Sequence, residues 1–238
     1  MTKILFVCHG NICRIVSALP YLFDAHLRLN LHRLTFYAFT PSQNNSLDDL
    51  LAEEETLRDM LGDLSISSAE AAELLANLPP ELSEERRKIV QQALTLVGKV
   101  NYFWGGKSLV IGWDSRWGRL TEVTAAGSPT TGTFRPYGLD CSGFADWVFY
   151  NVSGGSYILG HGGGVISQHQ YCASISWSQA QPGDLVFYPE DSHIGIVGGW
   201  DAAGNIQIIH CASGNLNNVV ITGKSGFTTV GRPYYYGE

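Results

Sequence analysis

The chain changes character near residue 100, and this change limits the folds open to it. Residues 46–99 carry leucine-rich helical patterns, with a break at Pro79-Pro80. They predict a helix over 46–61, a second after the capping box Ser67-x-x-Glu70 and a third from Ser83 to Gly98. Beyond residue 100, glycine becomes frequent and short β-branched runs alternate with turn residues. These runs are Asp184–Tyr188, Ile194–Val197, Ile206–Ile209 and Val219–Thr222. Helices first and strands afterwards predict the α+β class.

Charge and hydropathy exclude several classes of partner. The net charge of −7 in 238 residues comes mainly from the segment between Asp48 and Lys88, which holds most of the acidic side chains. No basic stripe exists for nucleic acid or anionic lipid, so we predict no nucleic-acid partner. No run approaches the ~18 apolar residues of a membrane span, and the N-terminus lacks the pattern of a signal peptide. These features by themselves predict a soluble protein that is not exported, which leaves a cytoplasmic location open.

The segment Tyr137–Tyr150 carries the most informative cysteine of the five in the chain. It predicts a helix that begins at Cys141, with Asp140 as N-cap. The positive end of a helix favours a thiolate, and its unpaired N–H groups can bind the oxyanion formed when a thiolate attacks an amide. Gly143 leaves room beside the sulfur. Cys141 is therefore a candidate nucleophile, with a structural buried cysteine as the alternative.

Two histidines are predicted to converge on one end of a hairpin. Asp201–Asn205 is a turn between two strand runs, which brings His193 and His210 to the same end of adjacent strands. A nucleophile, a base and a group that orients the base are the minimum for acyl transfer through a thioester. Zinc bound by Cys141, His193, His210 and Cys211 is chemically possible, but these residues lack the usual short ligand spacing. We predict no metal and no cofactor.

Five motifs, in order, resemble those of the NlpC/P60 cysteine peptidases over residues 86–238. They are Tyr102-Phe-Trp-Gly-Gly106, Asp140-Cys-Ser-Gly-Phe144, Gln181-Pro-Gly-Asp-Leu-Val-Phe187, His193-Ile-Gly-Ile196 and Ile209-His210. The resemblance implies a papain-like α+β fold in which the nucleophile helix packs on an antiparallel sheet. It also implies hydrolysis of amide bonds in bacterial peptidoglycan stem peptides, typically the bond between D-γ-glutamate and a diamino acid, and an extracellular or cell-envelope location.

The same resemblance implies a role for each site residue. Cys141 is the expected nucleophile, His193 the general base and acid, and His210 the orienting residue. Tyr102, Asp140 and Ser142 match positions that line the substrate site and hold a free peptide amine. Two alternatives remain open: an amidase or acyltransferase on this scaffold, and a non-catalytic cell-wall binding module. Neither the accepted diamino acid nor the oligomeric state follows from the sequence.

Two segments depart from the family pattern. Lys107–Pro136 is a long insert whose Trp113, Arg116, Trp117 and Arg119 either shape a substrate groove or pack as a surface loop. Ser167–Gln170 matches only part of the family's arginine-serine-x-x-glutamine segment. Cys172 and Cys211 match no catalytic position, and we expect them to pack in the core.

Lys3–Arg14 resembles the opening of low-molecular-weight protein tyrosine phosphatases, in which a strand and a Cys-x5-Arg loop bind phosphate. The resemblance stops at Arg14, and the chain has no Asp-Pro dipeptide for the general acid. We therefore predict three regions. Residues 1–40 are a phosphatase-loop-like remnant or fusion, residues 41–85 an acidic helical segment, and residues 86–238 the catalytic domain. Phosphatase activity from Cys8 and Arg14 is the weakest of the functional hypotheses.

Overall fold

The structure, a computed structural model, describes strands at residues 4–8, 11–13 and 35–38 and the continuous range 68–237. The chain forms two compact units, Met1–Asp59 and Met60–Glu238. In the first unit, β1 (Ile4–Cys8) lies between β2 (Asn11–Cys13) and β3 (Thr35–Ala38) in an antiparallel sheet. A second strand thus follows β1 where the phosphatase resemblance implies a loop. The resemblance itself stays a prediction.

Two helices open the described part of the second unit. The first, α1 (Ala69–Ala76), begins where the Ser68 side chain accepts a hydrogen bond from the Ala71 amide, so the predicted cap at Ser67 is wrong by one residue. The second, α2 (Glu84–Leu94), is capped by Ser83 as predicted, but it ends before Gly98. The helix predicted over 46–61 lies outside the described residues, and the three-region division stays a prediction.

A six-stranded antiparallel sheet forms the centre of the second unit. Its strand order is β10-β9-β8-β7-β11-β6. The strands are β6 (Cys172–Ile175), β7 (Leu185–Phe187), β8 (Ile194–Trp200), β9 (Ile206–Ala212), β10 (Asn218–Gly223) and β11 (Thr229–Pro233). Three of the four predicted runs lie within strands, whereas Asp184–Tyr188 extends one residue beyond β7 at each end. Strands β8 and β9 pair across the predicted hairpin turn. A separate two-stranded sheet pairs β4 (Leu120–Glu122) with β5 (Phe134–Pro136) inside the long insert.

The helix α3 (Cys141–Val152) packs between α2 and the sheet, and α4 (Gly164–His169) follows it. All residues from Cys141 to Phe149 are buried, because α3 is apolar on most of its surface and is covered on several sides. Phe144 and Trp147 share one core with Ile89 of α2 and Ile196 of β8. This arrangement confirms the predicted α+β class, with the candidate nucleophile helix packed on an antiparallel sheet.

Buried groups outside the candidate site stabilise this arrangement. Arg86 of α2 and Asp184 form an ion pair at 2.9 Å, with side chains 1% and 0% exposed. Cys172 and Cys211 are buried in the core, as expected, and the Cys211 thiol donates to the Leu139 carbonyl oxygen. Among the described residues, no helix has the length and apolar character needed to cross a membrane.

Candidate active site

The first turn of α3 holds the candidate nucleophile. The Asp140 side chain accepts a hydrogen bond from the Gly143 amide at 2.6 Å, which fixes the helix to begin at Cys141. Gly143 is needed here, because a methyl group at this position would collide with the Gly106 backbone oxygen. Asp140 occupies the Gly143 N–H and the Cys141 sulfur faces the Ser142 N–H, so among the described residues the Cys141 amide is the one left at this helix end for an oxyanion.

The thiol of Cys141 is not preformed as a thiolate. Burial raises the pKa of the Cys141 thiol to about 11, and the Asp140 carboxylate adds to the rise. The backbone N–H groups of Ile194 and Ser142 and the Lys107 ammonium lower this pKa, but burial outweighs them. The helix-end effect expected from the sequence is therefore present but is not dominant. The hydrogen bond from Ile194 also places the sulfur next to the residue that follows His193.

The two histidines meet as the hairpin register predicts. Ile196 of β8 pairs with Ile209 of β9, which brings His193, just before β8, beside His210. The distance from His193 Nε2 to His210 Nδ1 is 2.7 Å. His210 Nε2 lies 2.9 Å from the Thr222 hydroxyl oxygen, and that hydroxyl donates to the Gly223 carbonyl oxygen. We call this chain of contacts, from His193 through His210 to Thr222, the histidine relay.

The direction of the histidine relay follows from its last member. The single hydroxyl proton of Thr222 points to Gly223, so its oxygen accepts from His210 Nε2–H. His210 Nδ1 then carries no proton and accepts from His193 Nε2–H. In this tautomer Nδ1 of His193 is unprotonated and can accept a proton. Burial lowers the pKa of both His193 and His210 to about 4, so both rings are neutral at neutral pH.

The three residues predicted to line the substrate site lie around Cys141. Tyr102 forms a parallel bridge with Leu139, directly before Asp140. Burial is the main cause that raises the pKa of the Tyr102 hydroxyl, and the nearby Cys141 sulfur adds to the rise. The Ser142 hydroxyl donates to Asp140 Oδ1 at 2.8 Å. The structure therefore brings all six predicted site residues into one region at the start of α3 and the adjoining ends of β8 and β9.

Three further residues, which the sequence did not single out, contact this region. Thr222 completes the histidine relay, and Gln168 of α4 donates to the Ser142 carbonyl oxygen at 2.8 Å. The Lys107 ammonium lies 2.7 Å from Asp140 Oδ1 and 2.5 Å from Ser142 Oγ. Gln168 falls in the segment that matched the family only in part, so that partial match was the available signal. Lys107 follows the Tyr102–Gly106 motif directly, and nothing in its spacing pointed to Asp140.

The insert packs against the domain and also reaches this region. Trp113 lies edge-on to Trp117 at 4.9 Å between ring centroids, and Trp117 lies edge-on to Trp147 of α3 at 5.4 Å. These two tryptophans therefore pack, as the surface-loop alternative expects. Within the described range, no three histidine, cysteine, aspartate or glutamate side chains are grouped to hold a metal ion.

Comparisons with known proteins match part of this chain to one family. Residues 98–226 match the model of the NlpC/P60 family, a match that does not cover residues 3–14. Over 81 residues the chain is 41% identical to a Listeria grayi protein described as "probable endopeptidase p60". That match covers 34% of this chain and 15% of the relative, so the chain spans a small part of the relative's length.

Three solved structures of similar proteins come from mycobacteria. The peptidoglycan hydrolase RipB of Mycobacterium tuberculosis is 24% identical, with 66% of this chain and 69% of that chain covered and a TM-score of 0.42. The P60 domain of an antigen from M. avium subspecies paratuberculosis is 24% identical, with coverages of 63% and 94% and a TM-score of 0.43. RipD of M. tuberculosis, described as a non-catalytic peptidoglycan-binding protein, is 19% identical, with coverages of 63% and 98% and a TM-score of 0.44.

Proposed function

The chain belongs to the NlpC/P60 family, and from this premise we propose that it is a cysteine peptidase acting on peptidoglycan stem peptides. The substrate bond is the amide between D-γ-glutamate and a diamino acid, and the site of action is the cell envelope or the extracellular space. The observation that carries the proposal is the set of Cys141 at a helix N-terminus and, beside it, the histidine relay, in which His193 Nε2 lies 2.7 Å from His210 Nδ1 and His210 Nε2 lies 2.9 Å from the Thr222 hydroxyl.

In the first half-reaction the Cys141 sulfur attacks the amide carbonyl carbon. Because the thiol is protonated at neutral pH, its proton moves to Nδ1 of His193 as the carbon–sulfur bond forms. The Cys141 amide hydrogen-bonds the oxyanion. His193 then gives the proton to the departing nitrogen, the carbon–nitrogen bond breaks, and the acyl group remains on Cys141 as a thioester.

In the second half-reaction water replaces the amine. His193 removes a proton from the water molecule as its oxygen attacks the thioester carbonyl, and the same proton returns to the sulfur when the carbon–sulfur bond breaks. His210 keeps its Nδ1 directed at His193 and stabilises the imidazolium that forms in each half-reaction. His210 is therefore a positioning residue, whereas Cys141 and His193 are catalytic.

Digestion of purified muropeptides followed by mass spectrometry tests the proposal. The expected products are a fragment ending in D-γ-glutamate and a fragment beginning with the diamino acid. Products from a different amide bond would contradict the assigned bond, and joined peptides would indicate an acyltransferase and contradict the peptidase assignment.

One observation favours a second candidate, a non-catalytic wall-binding module. Burial keeps the Cys141 thiol protonated, which lowers its reactivity in the free protein. A binding module would retain muropeptides, measurable by calorimetry, and would release no product from them after prolonged incubation.

A further inference from the structure

The Asp140–Ser142 pair already holds a cation from the chain itself. The Lys107 ammonium lies 2.7 Å from Asp140 Oδ1 and 2.5 Å from Ser142 Oγ, and Ser142 in turn donates to the same carboxylate oxygen. These two side chains are the acceptors that the family resemblance assigns to the free amine of a substrate peptide. In this protein a lysine ammonium occupies that position, with its side chain 28% exposed.

The insert holds the Lys107 backbone in place. The Tyr137 hydroxyl donates to the Lys107 carbonyl oxygen at 2.7 Å, and Arg116 Nη2 donates to it at 3.3 Å. Arg116 is fixed in turn by the Asp114 carboxylate, which is 2% exposed and also accepts from Ser108. These hydrogen bonds hold the Lys107 backbone in a position from which its side chain reaches Asp140 and Ser142.

The charges in this subsite disfavour a second ammonium. Asp140 Oδ1 accepts hydrogen bonds from Lys107, Ser142 and the Gly143 amide. A substrate amine placed here would compete for this oxygen and would lie beside the like charge of Lys107. A neutral acyl group meets no such repulsion. An ammonium has three N–H donors, of which Asp140 and Ser142 take two within the described residues, so the third can bind an acyl carbonyl oxygen.

We propose that Lys107 makes this subsite select stem peptides whose N-terminus is acylated, as in a peptide still joined to its glycan by an amide, over peptides with a free N-terminal amine. This inference rests on the proposed function and names the substrate class. Lys107 is a specificity-determining residue: its ammonium neutralises Asp140 and donates to the acyl carbonyl, and the insert sets where it lies.

The test compares one stem peptide in two forms, with a free N-terminus and with an N-acetylated N-terminus. We expect the wild type to have a kcat/KM at least about tenfold higher for the acetylated form, and Lys107→Met to reduce that ratio at least about tenfold. Lys107 also lowers the pKa of Cys141, but both substrates react with the same thiol, so this effect cancels in the ratio. Lys107→Arg, which keeps the charge, is the matched control and should keep a preference for the acetylated peptide.

Binding separates this inference from the proposed function. Calorimetry with Cys141→Ala protein measures the affinity for both peptides without hydrolysis, and we expect the same preference and the same loss of it in Cys141→Ala/Lys107→Met. A retained preference in binding without cleavage by the wild type overturns the peptidase proposal alone. A wild-type preference for the free amine, or a Lys107→Met ratio within about twofold of wild type, overturns the role of Lys107.

Discussion

Thr222→Val removes the end of the histidine relay while nearly keeping the side-chain volume. Without the hydroxyl, His210 Nε2–H loses its acceptor at 2.9 Å. The other tautomer of His210 then becomes less unfavourable, and in it His210 donates to His193 Nε2 and leaves the proton on Nδ1 of His193. That form of His193 cannot accept the Cys141 proton. A neutral hydrogen bond contributes about 0.5–1.5 kcal/mol, and each ~1.4 kcal/mol changes a rate tenfold, so we expect kcat to fall about two- to twelvefold.

The assay is steady-state hydrolysis of a defined stem peptide by wild type, Thr222→Val and Thr222→Ser. The loss should lie in kcat with KM nearly unchanged, because Thr222 contacts the base through His210 and lies outside the predicted substrate-lining residues. Thr222→Ser keeps the hydroxyl and should recover most of the rate. Equal rates for Thr222→Val and wild type would refute the direction assigned to the histidine relay, and an equal loss in Thr222→Ser would assign the effect to packing.

Three further predictions concern pH, the core and the start of α3. His193 must be neutral to act, and burial lowers its pKa to about 4. We therefore expect kcat/KM to rise as pH increases through about 4 and to stay level near neutrality. A rise centred near 6.5 would contradict the burial effect. Arg86→Met removes one of the two arginines paired with the buried Asp184 carboxylate, while Arg232 stays 3.2 Å from Asp184 Oδ2. The substitution should lower the free energy of unfolding by about 1.5–3 kcal/mol in urea denaturation. A change below about 0.5 kcal/mol would contradict the importance of the Arg86 contact. Gly143→Ala should abolish hydrolysis, because the new methyl group would collide with the Gly106 backbone oxygen. Gly223→Ala is the control and should stay active, because its methyl group would meet no atom. An active Gly143→Ala protein would contradict the close contact.

Local sequence signals predicted the parts of the site that depend on one helix or one hairpin. Asp140 before an apolar run fixed where α3 begins, because an N-cap and the buried face of a helix are both encoded within a few residues. The turn after Trp200 sets the register of the two strands, and from that register the sequence predicts that His193 and His210 meet. The assignment of Cys211 to the core followed from its lack of a match to any catalytic motif.

Contacts made by distant parts of the chain were not predictable in the same way. Thr222 lies on the same face of β10 as Val220, which pairs with His210, and this register depends on a third strand joining the hairpin. Lys107 reaches Asp140 across 33 positions, because the Tyr102–Gly106 segment runs beside Leu139 and Asp140. The cap at Ser67 was wrong because two adjacent serines offer the same side chain, and only the helix position selects Ser68.

The protonation state of Cys141 was also beyond the sequence. A helix N-terminus lowers a thiol pKa, and this effect can be read from the motif. Burial of the sulfur has the opposite effect on the pKa, and only 7% of Cys141 is exposed. This burial depends on how β8 and the Tyr102–Lys107 segment cover the helix end. The sequence therefore predicted that Cys141 lies in the first turn of a helix, whereas the burial that raises its pKa depends on the tertiary fold.

The most direct test of the central claim compares muropeptide cleavage by wild type, Cys141→Ala and Cys172→Ala. Cys172 is the matched control, since it is a buried thiol of the same domain outside the candidate site. We predict that Cys141→Ala lowers cleavage at least about a thousandfold, whereas Cys172→Ala cleaves at nearly the wild-type rate. Cleavage by Cys141→Ala at the wild-type rate would contradict a thioester mechanism at this residue.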